Sequence, residues 1–403
     1  MDFSDTPEEA AYRAKARGWL AANAPKEELA SEEDGGIAQA RAWQAKKAAA
    51  GYAQITWPKE WGGPGGTAIQ SVIYAQEEEA KLGVNSSPFA IGLGMCIPTV
   101  MAFADEATKK RFVGPALRGE EIWCQLFSEP GGGSDAAGAR TRAVREADDW
   151  VVNGQKIWTS GAQRSDYGIL LTRTNLDVPK HKGMTMFWID MRSPGIEVRP
   201  IHQMAGGSGF NEVFFTDVRI PDSQRLGPVG DGWKVAIVTL MNERLSIGGG
   251  FGATYNDFLQ LAREVTIDGK PALKNQAFRE KLADWCVQAE GLKNTRMRTI
   301  TALSRGETPG PEGSIGKVVS ANLSQAIAQE AMEMLDQFGV ISDPAVAPMA
   351  GFFQTQVLFT PGLRIAGGTD EILRNVIAER VLGLPGDVRL DKDVAFKDIP
   401  TGR

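Results

Sequence analysis

Apolar residues recur at three- and four-residue spacing through most of the first 120 positions, the period of helices with one buried face. "DTPEEAAYRAKARGWL" predicts an amphipathic helix rather than a signal peptide: Thr6 suits the N-cap, Pro7 the first helical position, and Glu9 completes a capping box. Loops such as "WPKEWGGPGG" interrupt this texture, and "DEATKKRFVGPALRGEE" predicts a short helix ending at glycine. From about 121 to 222 the period changes. "YGILLTRT", "GMTMFWIDM", "GIEVRPI" and "NEVFFTDVRIP" are short β-forming runs punctuated by Gly, Pro and Asp. Asn153-Gly154 within "WVVNGQKIW" predicts a hairpin turn. From about 230 the helical period returns. It predicts one major helix over 233–265 and others over about 275–305, 313–338 and 370–382. The order is α, then β, then α. The fold class is α+β: a helical domain over 1–120, a β domain (small barrel or sandwich) over 121–228 and a helical bundle over 229–403.

Composition narrows the class. The 403 residues are 42% hydrophobic and 23% charged, with a net charge of −6. No basic block appears, which argues against a nucleic-acid surface. Leu82 to Ala104 carries no charge, yet Gly83, Pro88, Gly92, Gly94 and Pro98 break it. A buried segment fits that pattern better than a membrane span, and its small residues at Ile91–Thr99 suit either a pocket wall or helix packing. Cys96, Cys124 and Cys286 form no disulfide framework, as expected of a reduced, cytoplasmic compartment. Two histidines, His181 and His202, are too few for a histidine metal cluster, and no G-x-S-x-G elbow accompanies them. Both suit surface or loop positions.

Three stretches carry candidate chemistry. "CQLFSEPGGGSDAAG", Cys124 to Gly138, holds a glycine run with Ser134 and Asp135 that can bring backbone N–H groups to a phosphate. It lacks the Gly-Lys-Ser/Thr of a P-loop and the third glycine of a dinucleotide fingerprint, so a plain tight turn is the alternative. "NGQKIWTSGA" sets Trp158, Thr159 and Ser160 just after a strand, where a flat ring beside hydroxyls can wall a planar cofactor or simply fill a core. "TLMNERLSIGGG" places Glu243 and Arg244 among apolar residues, including Leu240, Ile247 and Phe251. A carboxylate there is either an arginine's ion-pair partner or a group held for proton transfer. The glycines Gly248–Gly250 imply close packing against something bulky. A fourth stretch, "RIAGGTDEILRN", sets Gly367 and Gly368 before Thr369, a natural N-cap with Glu371 in the first turn.

Taken together, "SEPGGGSD", "NGQKIWTSGA", "NEVFF-DVRIP" and "GGTDEILRNVIAERVLGLP" resemble the acyl-CoA dehydrogenase superfamily of flavoproteins over about residues 5 to 386, in the family's α–β–α order. The resemblance implies an N-terminal helical domain, a central β-barrel domain and a C-terminal four-helix bundle, with FAD lying between the last two and extending towards a neighbouring subunit. It implies that Gln125, Phe127 and Ser128 edge the flavin. Gly133 and Ser134 then approach the pyrophosphate or the substrate pantetheine. Trp158 packs by the ring with Thr159 beside it, and Ser160 reaches towards N5. Thr369 and Glu371 also meet the FAD, and Arg263 corresponds to the arginine for the neighbour's FAD. The chain departs from the family pattern in two places: "AREVTIDGK" lacks the family's Phe-Gly after Arg263, and "EMLDQFGV" differs from the usual Gly-Gly cofactor loop at Glu333 and Gln337.

Many members carry their catalytic glutamate where this chain has Gly367. Isovaleryl- and long-chain-type members carry it instead in a Glu-Arg pair on a bundle helix, the place of Glu243-Arg244. The resemblance therefore implies Glu243 as the base and the Gly367 backbone as a donor to the thioester oxygen, with Ser134, Arg244 and Gly368 on the substrate. It implies α,β-dehydrogenation of an acyl-CoA in lipid catabolism, with electrons passed to an electron-transfer flavoprotein. The expected assembly is a homodimer or homotetramer, or a heteromer with a related chain. The rivals are a non-catalytic, site-completing partner subunit, motivated by Gly367, and a flavin oxidase or monooxygenase on the same fold.

Overall fold

The structure, a computed structural model, describes residues 5–26, 36–79, 86–246, 252–305, 310–311, 313–388 and 390–400; of 243–246 and 303–304 it describes the backbone but not the side chains. The chain divides into two compact units, one made of 1–201, 208–247 and 388–403, the other of 202–207 and 248–387.

The first unit opens with helices α1 (Pro7–Asn23), α2 (Ile37–Ala49), α3 (Ala68–Glu79), α4 (Ser87–Ile91), α5 (Ile97–Phe103) and α6 (Glu106–Leu117). The capping box on α1 forms as expected: Glu9 N–H donates to Thr6 Oγ1 at 3.2 Å and Thr6 N–H to Glu9 Oε2 at 2.7 Å. A π-helical turn, Gly92–Cys96, joins α4 to α5. Phe89, Ile97 and Val100 are buried there, so the described part of the uncharged segment, 86–104, packs into the interior. Among the described residues no helix is long and apolar enough to cross a membrane.

Eight strands follow: β1 (Trp123–Leu126), β2 (Arg142–Glu146), β3 (Asp149–Lys156), β4 (Tyr167–Arg173), β5 (Met184–Asp190), β6 (Ile196–Ile201), β7 (Phe210–Pro221) and β8 (Arg225–Leu226). They form one sheet in the order β6-β7-β3-β2-β4-β5-β8, with β1 parallel to β4. Val152, Leu170, Phe187, Val213 and Phe215, drawn from strands far apart in that order, share one buried cluster. Trp150 of β3 meets Phe187 of β5 at 5.6 Å between centroids. The sheet therefore curls round a single interior, as a barrel does. On its other face Ile169, Leu171 and Met186 pack against Phe112, Ile97 and Trp123. Burial of β4 on both faces explains its unbroken apolar run.

The expected Asn153-Gly154 hairpin is not there. β3 runs straight through both residues, paired with β7, and its register shifts between Val152 and Gly154. The hairpin turn lies earlier, between Glu146 and Asp149, with Ala147 at φ 54°. Gly154 is required by close approach: a Cβ there would stand 2.6 Å from Thr141 Oγ1 and 2.7 Å from Thr141 Cα. Gly154→Ala should destabilise the protein by about 1–3 kcal/mol through overpacking. Urea unfolding checks this, and an unchanged midpoint would mean that the strand yields freely.

The predicted helix over 233–265 is two helices, α7 (Gly232–Ser246) and α8 (Tyr255–Glu264). Gly252, at φ 97°, and a Thr254 N-cap with a reciprocal Asp257 box start α8 afresh. The expectation of close-packed glycines at Gly248–Gly250 lies outside the described residues, as do Ile247 and Phe251. α7 belongs to the first unit and packs on α5 and β5.

In the second unit, α9 (Gln276–Ser304), α10 (Gly313–Leu335), α11 (Phe352–Leu363) and α12 (Asp370–Val376) follow α8. Phe258 of α8, Trp285 of α9, Ile327 and Ala331 of α10 and Phe353 of α11 form one core, so four helices make a bundle. A small hairpin, β9 (Thr266–Ile267) with β10 (Lys270–Pro271), turns at Asp268-Gly269, both at positive φ.

Candidate active site

In the first unit, β1 and the end of β3 bring the predicted cofactor residues together. Gln125 sits on β1, half-buried, and Phe127 is buried just beyond it. Ser128 O accepts from Ile157 N–H at 2.9 Å, which sets the strand ends side by side. The chain then turns at Glu129–Gly132 through reciprocal backbone bonds of 3.1 and 2.9 Å. Gly133 and Ser134 are exposed, and a Cβ on Gly131 would meet nothing within 4 Å. The turn thus presents bare backbone to an open side, as phosphate recognition needs.

Beside it, Trp158 holds φ at 59°, strained for a bulky residue, and its side chain is 56% exposed. Phe210 supports the indole edge-on at 6.0 Å. Thr159 is buried, and its backbone pairs with Asn211 at 3.0 and 3.1 Å. Its Oγ1 is a buried atom with no hydrogen-bond partner among the described residues. Ser160 is half-buried next to it. A strained, outward-facing indole, an unsatisfied hydroxyl and an open glycine turn fit a planar ring carrying a phosphate chain.

A buried ion pair fixes this cradle, and motif reading missed it. Lys156, fully buried, donates to Glu129 Oε1 at 2.8 Å and to Phe127 O at 3.0 Å. Glu129 also accepts from Thr141 N–H at 2.9 Å and Arg140 N–H at 2.6 Å. Burial pushes the Glu129 carboxyl up, but Lys156 and these donors outweigh it and hold it below the usual carboxylate range. Burial lowers the Lys156 ammonium against the pull of Glu129. The two partners stand 27 positions apart, so no local pattern links them.

α7 carries Glu243 and Arg244; their side chains lie outside the described residues. The helix is pinned one turn earlier, where Thr239 Oγ1 meets Thr99 Oγ1 at 2.8 Å and Val235 O at 3.1 Å.

In the second unit, Gly367 and Gly368 both take positive φ, 66° and 100°. Side chains are disfavoured in that region, so this backbone suits glycine at 367. Thr369 caps α12 as expected, accepting from Ile372 N–H at 3.3 Å, and Glu371 stands exposed in the first turn. Lys317 of α10 donates to Gly368 O at 2.6 Å. Asp370, 2% exposed, accepts from Arg364 at 2.8 Å and Asn322 at 3.0 Å. These bonds brace the double-glycine turn against α10. Arg263 is exposed in the last turn of α8, and Glu333 and Gln337 are exposed near the end of α10. His202 is exposed and His181 half-buried, edge-on to Trp233. All three cysteines are free, and among the described residues no group of side chains could hold a metal. Two open clefts, of about 340 and 500 Å³, lie at Arg111–Tyr167–Trp188 and Asp105–Asp222–Arg225. None of the predicted site residues lines either one.

Comparison with known proteins identifies the family. Models of the acyl-CoA dehydrogenase N-terminal, middle and C-terminal domains match residues 6–120, 124–218 and 230–382. "Acyl-CoA dehydrogenase FadE34" of Mycobacterium tuberculosis (strain ATCC 25618 / H37Rv) is 39% identical over 82% of this chain, which spans only 44% of that relative's length. "Acyl-CoA dehydrogenase IpdE1" of the same organism is 35% identical over 94% of this chain and 98% of its own length. The solved "Tcur3481-Tcur3483 steroid ACAD" superposes with a TM-score of 0.78 at 25% identity, covering 96% of this chain and all of that one. The chain belongs to the acyl-CoA dehydrogenase family of flavoproteins, for which FAD is the implied cofactor.

Proposed function

We propose that this chain catalyses the α,β-dehydrogenation of an acyl-CoA thioester to the trans-2-enoyl-CoA, with electrons passing on to an electron-transfer flavoprotein. One observation carries the reading: three family domains in order, with a Glu-Arg pair on α7 and a positive-φ glycine at 367. FAD, when bound, supplies the hydride acceptor for the β-hydrogen. Gln125, Phe127, Ser128, Trp158, Thr159 and Ser160 hold and flank its ring, and Gly133 and Ser134 offer backbone to its pyrophosphate or to the pantetheine. Thr369, Glu371 and Arg263 belong to the cofactor set, and Arg244 and Gly368 to the substrate set. Glu243 removes the α-proton as general base. Gly367 N–H donates to the thioester oxygen as negative charge develops there. The indole of Trp158 excludes water from one side.

The three-segment division at about 120 and 228 belongs to the same reading. The solved relative's pair of names supports an oligomer, either of this chain or with a related one, and the mass of the FAD-loaded species distinguishes the two. That relative's description also favours a bulky, ring-bearing acyl group as substrate. The cofactor assignment is tested by denaturing recombinant protein: FAD rather than FMN should be released. A colourless protein that FAD cannot reconstitute would contradict the assignment.

A further inference from the structure

The family match ends at residue 382, yet the chain beyond it packs onto the β domain. Ala395 makes an antiparallel bridge with Pro179, in the loop between β4 and β5. Phe396 N–H donates to Val178 O at 2.9 Å and Lys397 N–H to Leu176 O at 3.0 Å. Lys397 Nζ also pairs with Asp177 at 2.8 Å. Phe396 is buried, and its ring centroid lies 3.8 Å from the guanidinium carbon of Arg173.

Arg173 is only 1% exposed. Its N–H groups donate to Ala137 O, to Ala139 O at 3.2 Å and to Lys180 O at 2.5 Å. Burial lowers its pKa to about 10, against the pull of Glu129 and Asp135. A second route runs through Lys180, whose Nζ meets both Asp391 at 2.7 Å and Asp135 at 2.9 Å. Both routes start in the C-terminal segment. Both end in residues 135–139, directly after the glycine run.

We propose that residues 391–399 are a positioning strap for the glycine-rich turn: they hold Arg173 and Lys180 against 135–139 and thereby set how tightly the turn grips a phosphate-bearing ligand. The inference rests on the reading that Gly133 and Ser134 receive such a ligand. A buried guanidinium with an aromatic lid keeps its three carbonyl bonds because water is excluded. Removing the lid admits water to Arg173 and loosens the segment that it ties down.

The test uses the full chain, with Phe396→Leu, which keeps apolar volume without the ring, and Asp391→Asn, which leaves the core untouched. FAD and CoA affinities are measured separately, together with amide exchange of the FAD-free protein. Each variant should bind FAD, CoA or both about tenfold more weakly. Exchange at 131–139 should accelerate while exchange in α10 stays as in the parent, a local effect that a general loss of stability would not give. Folded variants with parental affinities and parental exchange at 131–139 would overturn the strap. A parent that binds neither ligand would instead sink the functional reading above, and the exchange measurement would still decide whether the strap holds the turn.

Discussion

Glu243→Gln should retain its fold and its FAD and lose about 10²- to 10⁴-fold in the rate of flavin reduction by acyl-CoA. The amide matches the carboxylate in shape and polarity but cannot accept the α-proton. α7 should tolerate the change, because its anchor is the Thr99–Thr239 hydroxyl pair one turn away. Acyl-CoA affinity should move little, since the thioester is held by other groups. Position 367 offers no replacement base: it is glycine, in a conformation that disfavours side chains. Rapid anaerobic mixing separates the two outcomes. If Glu243→Gln reduces its flavin as fast as the parent, Glu243 is an ion-pair partner only, and the site-completing subunit becomes the better reading.

Glu129→Ala should lower stability by about 3–5 kcal/mol, the usual result of leaving a buried charge unpaired. Lys156 has no exposure to water, so its ammonium would keep only Phe127 O from the present set. The N–H groups of Arg140 and Thr141 would lose their acceptor as well. Glu129→Gln should cost less, because the amide oxygen still accepts. Adding Lys156→Met to Glu129→Gln should recover part of the loss, since no buried charge remains. Urea unfolding measures all three, and a parental midpoint for Glu129→Ala would refute the pair's role. The pH dependence has a fixed sign. Glu129 is held below its ordinary pKa, so its contribution is complete above about pH 4.5 and is lost as pH falls through the lowered value. Glu129→Gln should lack this acid limb.

Local chemistry was legible in the sequence where it is settled by neighbours in the chain. The Thr6 and Thr369 caps need only residues three positions away, and both form. The glycine run after Glu129 and the Trp-Thr-Ser triplet were legible for the same reason. Asn153-Gly154 misled because its glycine answers to Thr141, just before the adjacent strand β2, rather than to a turn. The Asp-Gly hairpin that does form is at Asp268-Gly269. The long helix over 233–265 failed because its apolar period continues across a break made by Gly252 and the Thr254 cap. α11 went unread since its run is short and closes on Pro361 and Gly362. Contacts between distant positions left no local trace. Lys156 and Phe396 are both buried against partners that only the fold supplies.

On the proposed function, this chain oxidises acyl-CoA thioesters with a bound flavin. The most direct test of that function is anaerobic titration of the FAD-loaded protein with straight-chain, branched and steroid-like acyl-CoAs while the visible flavin absorbance is followed. At least one class should bleach the flavin, with the enoyl-CoA product formed in proportion to the flavin reduced. A correctly folded, FAD-loaded protein that none of these thioesters bleaches, alone or with a related partner chain, would contradict it.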